Sequence, residues 1–380
     1  MPAFAGIERM AVDSSTQRIT RLTPLSAVLA LIESRVGAVK PQKSAIHGAR
    51  GFTLAEDVVS SEQPPRPIAL RDGFPVAAAT VADAGPYAPV PLPLTVCRID
   101  VGEALPSDAD AVLPLDAVTL RGHRAEAFAA VTAGEGVLLK GGDATPGTPL
   151  RRAGQSARAI DIAVMAAAEI KDVTIRAPRI HIVYGGEARS PAIDVALTTL
   201  VRLAGEAGGV VTGRSITLEP ALGDEETSAV MAVGGTGSGL RDAAVHTLAR
   251  LGQVEAHGIA VSPGETAAFG FAGKRPVLLI PGRLDAALAI WLLVGRHLVA
   301  KLAGGGIADL PVTLPLKRKV TSTIGLTELV PVSCAGGMAE PLASGYLSLE
   351  SLARSDGWIV VPADSEGFAA GTPVAVKTWP

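Results

Sequence analysis

The chain has 380 residues, with 34 lysines and arginines against 37 aspartates and glutamates, for a formal net charge of −3. That length allows two or more cores, while the charge leaves no basic footprint for nucleic acid and 3% aromatic residues give few platforms for stacking bases. A mean hydropathy of +0.35 raises the question of a membrane, but the longest apolar helix candidate, residues 286–295, ends at Arg296-His297 and is too short to span one.

In chain order, residues 1–21 are polar, include Ser14-Ser15-Thr16-Gln17, and read as a mobile arm. Glu8, Arg9 and Asp13 interrupt any apolar run that an export signal needs. Thr23-Pro24 opens a helix in which Leu25, Val28, Leu29, Ile32 and Val36 recur at helical spacing. Residues 69–130, rich in Pro, Val and Ala, read as a β-rich insertion, and 157–168 as helix again. The helices on either side of the insertion are expected to pack together, making 22–68 plus 131–178 one discontinuous helical domain.

Across 179–306 the pattern becomes strand, helix, strand, helix, an α/β domain with a mostly parallel sheet. Strands are predicted at 180–183, 230–233, 259–261 and 277–280, with an extended stretch over 209–218. Helices are predicted at 193–207, 241–251 and 284–302. Residues 307–380 read as a C-terminal small β domain. The fold class is therefore α/β multidomain. Cys97 and Cys334 suit neither a metal nor a disulfide framework, which fits a reducing cytoplasm. His181, His246, His257 and His297 have no metal-ligand spacing and read as structural.

Chemistry concentrates where the apolar run 229–233 gives way to Gly234-Gly235-Thr236-Gly237-Ser238-Gly239 and then a helix. Glycines let a ligand approach the backbone, and the N–H groups and dipole at a helix start favour an anion. Asp242 is placed in the first helical turn, facing whatever the loop holds. A dinucleotide fingerprint needs glycine at position 240 and a Walker loop needs lysine there, yet Leu240 occupies it, so a nicotinamide oxidoreductase is disfavoured. A plain strand-to-helix turn is the other reading of the loop.

The loop, the turn Ser262-Pro263-Gly264-Glu265 and the segment Ile280-Pro281-Gly282-Arg283 together resemble the MoeA/gephyrin family of molybdopterin molybdenumtransferases. Arg71-Asp72-Gly73-Phe74-Pro75-Val76 resembles the family's MDGYAV segment, and Gly102 to Val112 its TGAPLPxGADAVV segment. Gly141-Gly142-Asp143 stands where the family has GED, and Tyr184-Gly185-Gly186-Glu187 where it has TGDE. The resemblance implies a MoeA-like fold and the insertion of molybdate into adenylylated molybdopterin with release of AMP. It implies Asp242, Asp72, Asp143 and Glu187 as catalytic carboxylates. Mg²⁺ on Asp242 would bridge to phosphate, since bare carboxylates repel it. It also implies ligand contacts at Gly234, Gly235, Gly237, Ser238, Gly239, Pro263, Gly264, Arg283 and Ser344. A cytoplasmic homodimer with a shared site is implied, its partner a pterin nucleotide, with no nucleic acid and no membrane.

Departures from the family are concentrated where an oxyanion would sit. The two lysines of its KPGKP turn are Ser262 and Glu265, the arginine of GRxEF is Leu326, the aspartate of TGDE is Gly186, and the asparagine of PGNP is Arg283. The serine and threonine before the double glycine are Ala232 and Val233. A site that loses three cations binds molybdate weakly unless Arg283 compensates. The alternative function is therefore a catalytically reduced MoeA-like protein that binds pterin, nucleotide or a partner without inserting metal. Bland readings of the acids are a turn for Asp143, a helix-dipole partner for Asp242 and a solvated charge for Glu187.

Overall fold

The computed structural model describes residues 17–93, 97–121, 124–186, 189–213, 216–239, 241–307 and 309–380. A six-stranded sheet forms from β1 (Arg179–Tyr184), β2 (Val210–Thr212), β3 (Ala229–Val233), β4 (Gln253–His257), β5 (Ala268–Ala272) and β6 (Arg275–Ile280), in spatial order β2-β1-β3-β6-β5-β4. The first four in that order run parallel, and β5 and β4 complete the sheet as antiparallel strands. Every residue of β3 is buried, because a parallel strand covered on both faces must be apolar throughout.

β4 and β5 escape the sequence pattern for a local reason. A Cβ on Gly270 would lie 2.1 Å from the Gln253 carbonyl oxygen, so β5 carries a glycine where the strands approach most closely. The predicted strand at 259–261 is also displaced. The chain turns at Gly258 (φ +89°), and Val261–Ser262 pairs in parallel with Thr327–Glu328 of the C-terminal sheet.

Helices flank the large sheet. α1 (Leu25–Arg35) places Val28 and Ile32 in the main core, whereas α2 (Ala159–Ala167) places Met165 in a separate core with Ile46, Leu54 and Ile175. The expected pairing of the two helices is replaced by strands. Asp172–Arg176 pairs with Gln42–Ala45 and with Thr53–Leu54, and this small sheet joins the segments before and after the insertion. The insertion has its own core of Phe74, Val81, Leu113 and Ala127. Strands Val312–Pro315, Thr327–Ala335, Met338–Pro341, Gly357–Val361 and Pro373–Thr378 build the C-terminal β region.

α3 (Pro191–Glu206) is capped by Ser190 with proline in its first turn. α4 (Leu218–Gly223) begins at the last residue of the stretch expected to be extended and continues beyond it. α5 (Ala244–Leu251) begins three residues later than its sequence pattern suggested. α6 (Leu284–Ile290) runs through a π turn, Trp291–Gly295, into α7 (Arg296–Ala303). Arg296 does not end this helix, because its guanidinium is neutralised by Asp309 at 2.6 Å. The 20-residue span Leu284–Ala303 is the one helix among the described residues long and apolar enough to cross a bilayer, and 72% of its most apolar window is buried inside the protein.

His181 is structural, as its sequence context suggested. Its Nε2 faces the Asp224 carboxylate at 2.7 Å and its Nδ1 the Thr212 hydroxyl at 2.9 Å. The Glu226 N–H first, and His181 second, hold the Asp224 carboxyl below its ordinary pKa. A carboxylate whose pKa folding lowers adds stability above its unfolded value of about 4 and loses it as pH falls through the folded one. Urea midpoints of the natural protein and Asp224→Asn are therefore expected to differ at neutral pH and to approach each other only as pH falls through the lowered folded pKa of Asp224.

Candidate functional site

Three connections meet at the carboxyl edge of the parallel strands, where ligands bind in open α/β sheets. Gly185 follows β1, Gly234 follows β3 and Gly282 follows β6. Gly185 N–H donates to the Val233 carbonyl at 2.9 Å and Gly234 N–H to the Ile280 carbonyl at 2.8 Å. The loop leaves β3 through two left-handed glycines, Gly234 (φ +87°) and Gly235 (φ +72°), a conformation that disfavours any side chain. Thr236 is 2% exposed and shares a hydroxyl hydrogen bond of 3.0 Å with Thr266, tying the loop to the segment after β4.

Asp242 precedes α5 rather than lying in its first turn. Its Oδ2 accepts from Gly239 N–H at 2.8 Å and would stand 2.8 Å from a Cβ on Gly237, so the carboxylate sits against the loop backbone. Among the described residues no hydrogen bond reaches its Oδ1, which leaves one carboxylate oxygen open to a cation whose other ligands would come from elsewhere. No group of three or more His, Cys, Asp or Glu side chains suited to a metal occurs among the described residues.

The start of α5 holds an occupant that sequence reading missed. Its N-cap, Ala243, offers no side-chain bond. Gln17 supplies it instead: Oε1 accepts from Val245 N–H at 2.7 Å and His246 N–H at 3.1 Å, and Nε2 donates to the Gly235 and Gly237 carbonyls at 3.0 and 2.9 Å. Residues 17–21 are thus held rather than free. Residues 1–16, Glu187 and Leu240 lie outside the described residues.

A second cluster joins the 262–265 turn, the start of α6 and the C-terminal β region. Ser262 is buried beside Glu328 on the neighbouring strand. The Glu328 carboxylate, 4% exposed, accepts from the Ser344 hydroxyl at 2.6 Å and Gly345 N–H at 2.7 Å. Gly264 (φ +134°) lies against Ile290, and its N–H donates to the Glu265 carboxylate at 3.0 Å. Arg283 grips the buried Asp285 bidentately, donating from Nε and one Nη, and lies 5.1 Å from the Tyr346 ring centroid. Hydrogen bonding to Asp285 raises the Arg283 pKa above its ordinary value. Sequence reading brought Ser262, Pro263, Gly264, Arg283 and Ser344 to one place, and the structure unites them. It missed Tyr346 and the two acids Asp285 and Glu328, which with Glu265 set three carboxylates beside the Arg283 guanidinium.

Asp72 and Asp143 stand apart from Asp242. Asp72 accepts from Val101 N–H at 2.9 Å and pairs at 3.8 Å with Arg98, which with Arg66 and Cys97 lines a cleft of about 960 Å³. Asp143 is exposed at a groove of about 400 Å³ formed with Gln63, Leu150 and Val164. No hydrogen bond or ion pair among the described residues links either acid to Asp242.

Residues 23–168 match the MoeA N-terminal region, domains I and II, and residues 313–379 match the MoeA C-terminal region, domain IV. Together these matches cover more than half of the chain. The chain belongs to the MoeA family. A molybdopterin molybdenumtransferase 1 of Mycobacterium tuberculosis is 26% identical over 423 aligned positions, covering 91% of this chain and 96% of the relative. A Synechococcus elongatus molybdopterin molybdenumtransferase is 23% identical, covering 86% of each. A Methanocaldococcus jannaschii protein named for molybdopterin biosynthesis is 32% identical over 152 residues, and the match spans 36% of its length. The fold is that of the Pyrococcus horikoshii OT3 MoeA crystal structure, with a TM-score of 0.72 at 22% identity over 94% of this chain and 100% of that one. The α/β sheet of this MoeA chain, with its glycine loop, lies between the two matched family regions.

Proposed function

We propose that this chain acts in molybdenum cofactor biosynthesis, inserting molybdate into adenylylated molybdopterin with release of AMP. Relatives bearing the transferase name align over nine-tenths of its length, and the observation that carries the reading is the glycine loop at the carboxyl edge of the parallel strands. That loop is the phosphate end of the site. Asp242 would hold Mg²⁺, which when bound offsets charge on the phosphates. The cluster at Ser262, Arg283 and Ser344 is the oxyanion end.

Asp72 and Asp143 complete the site from a second copy, which explains why they are remote from Asp242 within one chain, while Glu187 belongs to the same α/β domain as Asp242 and follows Gly185-Gly186 in sequence. The protein is then a cytoplasmic homodimer. Light scattering is expected to give twice the 38.6 kDa chain mass, and a monomer at micromolar concentration contradicts the shared site. The deciding assay is cofactor formation and AMP release in a reconstituted mixture of adenylylated molybdopterin, Mg²⁺ and molybdate. Binding without turnover would instead support the catalytically reduced reading, which the transferase relatives do not favour.

Excess negative charge at the oxyanion end makes a further prediction. Ser262 is 7% exposed, so a lysine there would bury its ammonium, whereas Glu265 is partly exposed beside Arg283. Glu265→Lys is expected to raise cofactor formation at low molybdate by about tenfold, because a charge-assisted hydrogen bond contributes roughly 1.5–3 kcal/mol. An unchanged molybdate dependence would place the oxyanion elsewhere.

A further inference from the structure

The carboxamide of Gln17 is saturated. Such a group has two donor hydrogens and two acceptor lone pairs, and the Gly235 and Gly237 carbonyls and the Val245 and His246 N–H groups use all four. The side chain is 3% exposed, while its neighbour Arg18 is exposed. Farther along, Ile19 lies against Gly258, and Thr23 bridges to Ile259, its N–H donating to the Gly258 carbonyl at 2.8 Å. The segment is therefore anchored at 19–23, and Gln17 is its outermost described contact with the loop. Residues 17–22 also precede the first residue of the MoeA N-terminal match.

We propose that the segment from Gln17 to Leu22 is a displaceable plug of the glycine loop, in which the Gln17 carboxamide occupies the place a ligand phosphate takes. The inference rests on the reading that this loop binds phosphate. A phosphate oxygen only accepts hydrogen bonds. It takes over the Val245 and His246 N–H groups and gains from the α5 dipole. The Gly235 and Gly237 carbonyls, drawn inward by Gln17, must turn away, and glycine peptides turn at low steric cost. The four neutral hydrogen bonds of Gln17 are exchanged for two charge-assisted ones, each roughly twice as strong, so the bonds about balance and the attraction of the α5 dipole for the anion lets ligand displace plug. The segment lowers apparent affinity by the fraction of time the loop is open.

The test uses the full chain and inorganic pyrophosphate. With the plug closed about nine-tenths of the time, Gln17→Ala is expected to bind pyrophosphate about tenfold more tightly by calorimetry. In the natural chain, saturating pyrophosphate is expected to speed tryptic cleavage between Arg18 and Ile19 several-fold, read by N-terminal sequencing. Equal or weaker binding by a folded Gln17→Ala overturns the plug and leaves the phosphate loop standing, with Gln17 a permanent brace. Binding by neither protein overturns both. If Gln17→Ala does not fold, the natural chain decides: a cleavage rate that pyrophosphate leaves unchanged removes the plug.

Discussion

Gly185→Ala is expected to abolish binding at the glycine loop, with a loss of at least about 100-fold in pyrophosphate affinity, and to destabilise the protein by about 2–3 kcal/mol. A Cβ at this position would lie 1.9 Å from the Gly234 carbonyl oxygen and 2.9 Å from its carbon, and both are backbone atoms that cannot swing aside. Either β1 or the start of the loop must move, and the hydrogen bond from Gly185 to Val233 is the first to be lost. Gly186→Ala is the control. Its nearest neighbour, the Arg241 carbonyl oxygen, is 4.0 Å away, so binding and stability are expected to be preserved. Calorimetry and urea unfolding on both variants check the pair. Normal binding by Gly185→Ala would mean that the ligand does not use this loop.

Asp242→Asn is expected to lower the rate of AMP release by roughly 10²–10³-fold while changing stability by less than about 0.5 kcal/mol. Asparagine keeps an oxygen that accepts from Gly239 N–H, the bond that Asp242 makes at 2.8 Å. What it removes is the negative charge that would hold a cation against the substrate phosphates. The variant therefore separates chemistry from bracing. A natural rate in Asp242→Asn would assign this side chain to loop structure alone. A matching loss of stability would do so too.

The chain's motifs were legible wherever local chemistry fixes the backbone. β3 reads as a strand because all five residues are apolar and buried, and the loop after it reads as a turn because glycines alone suit φ near +80°. The Ser262, Arg283 and Ser344 cluster was legible through the order and spacing of motifs. β4 and β5 were not, since the glycine that lets them approach also resembles a loop signal. The long core helix, predicted at 284–302, is observed over Leu284–Ala303, but its apolar run was counted only to residue 295, because Arg296 looks like the end of such a run until Asp309 is seen to neutralise it.

By itself the sequence determined the α/β core, the position of the glycine loop and the family resemblance, because apolar period, glycine placement and motif order are local properties of the chain. Tertiary structure alone decided what those motifs meet. Gln17 is a polar residue in a polar arm until folding sets it 3% exposed against a loop more than two hundred residues away. Asp285 and Glu328 look like ordinary surface acids until folding buries them, at 4% exposure each, as the counter-charge of Arg283 and the hydrogen-bond acceptor of Ser344. Hydrogen bonds and desolvation depend on distances in space, which residue spacing along the chain does not specify.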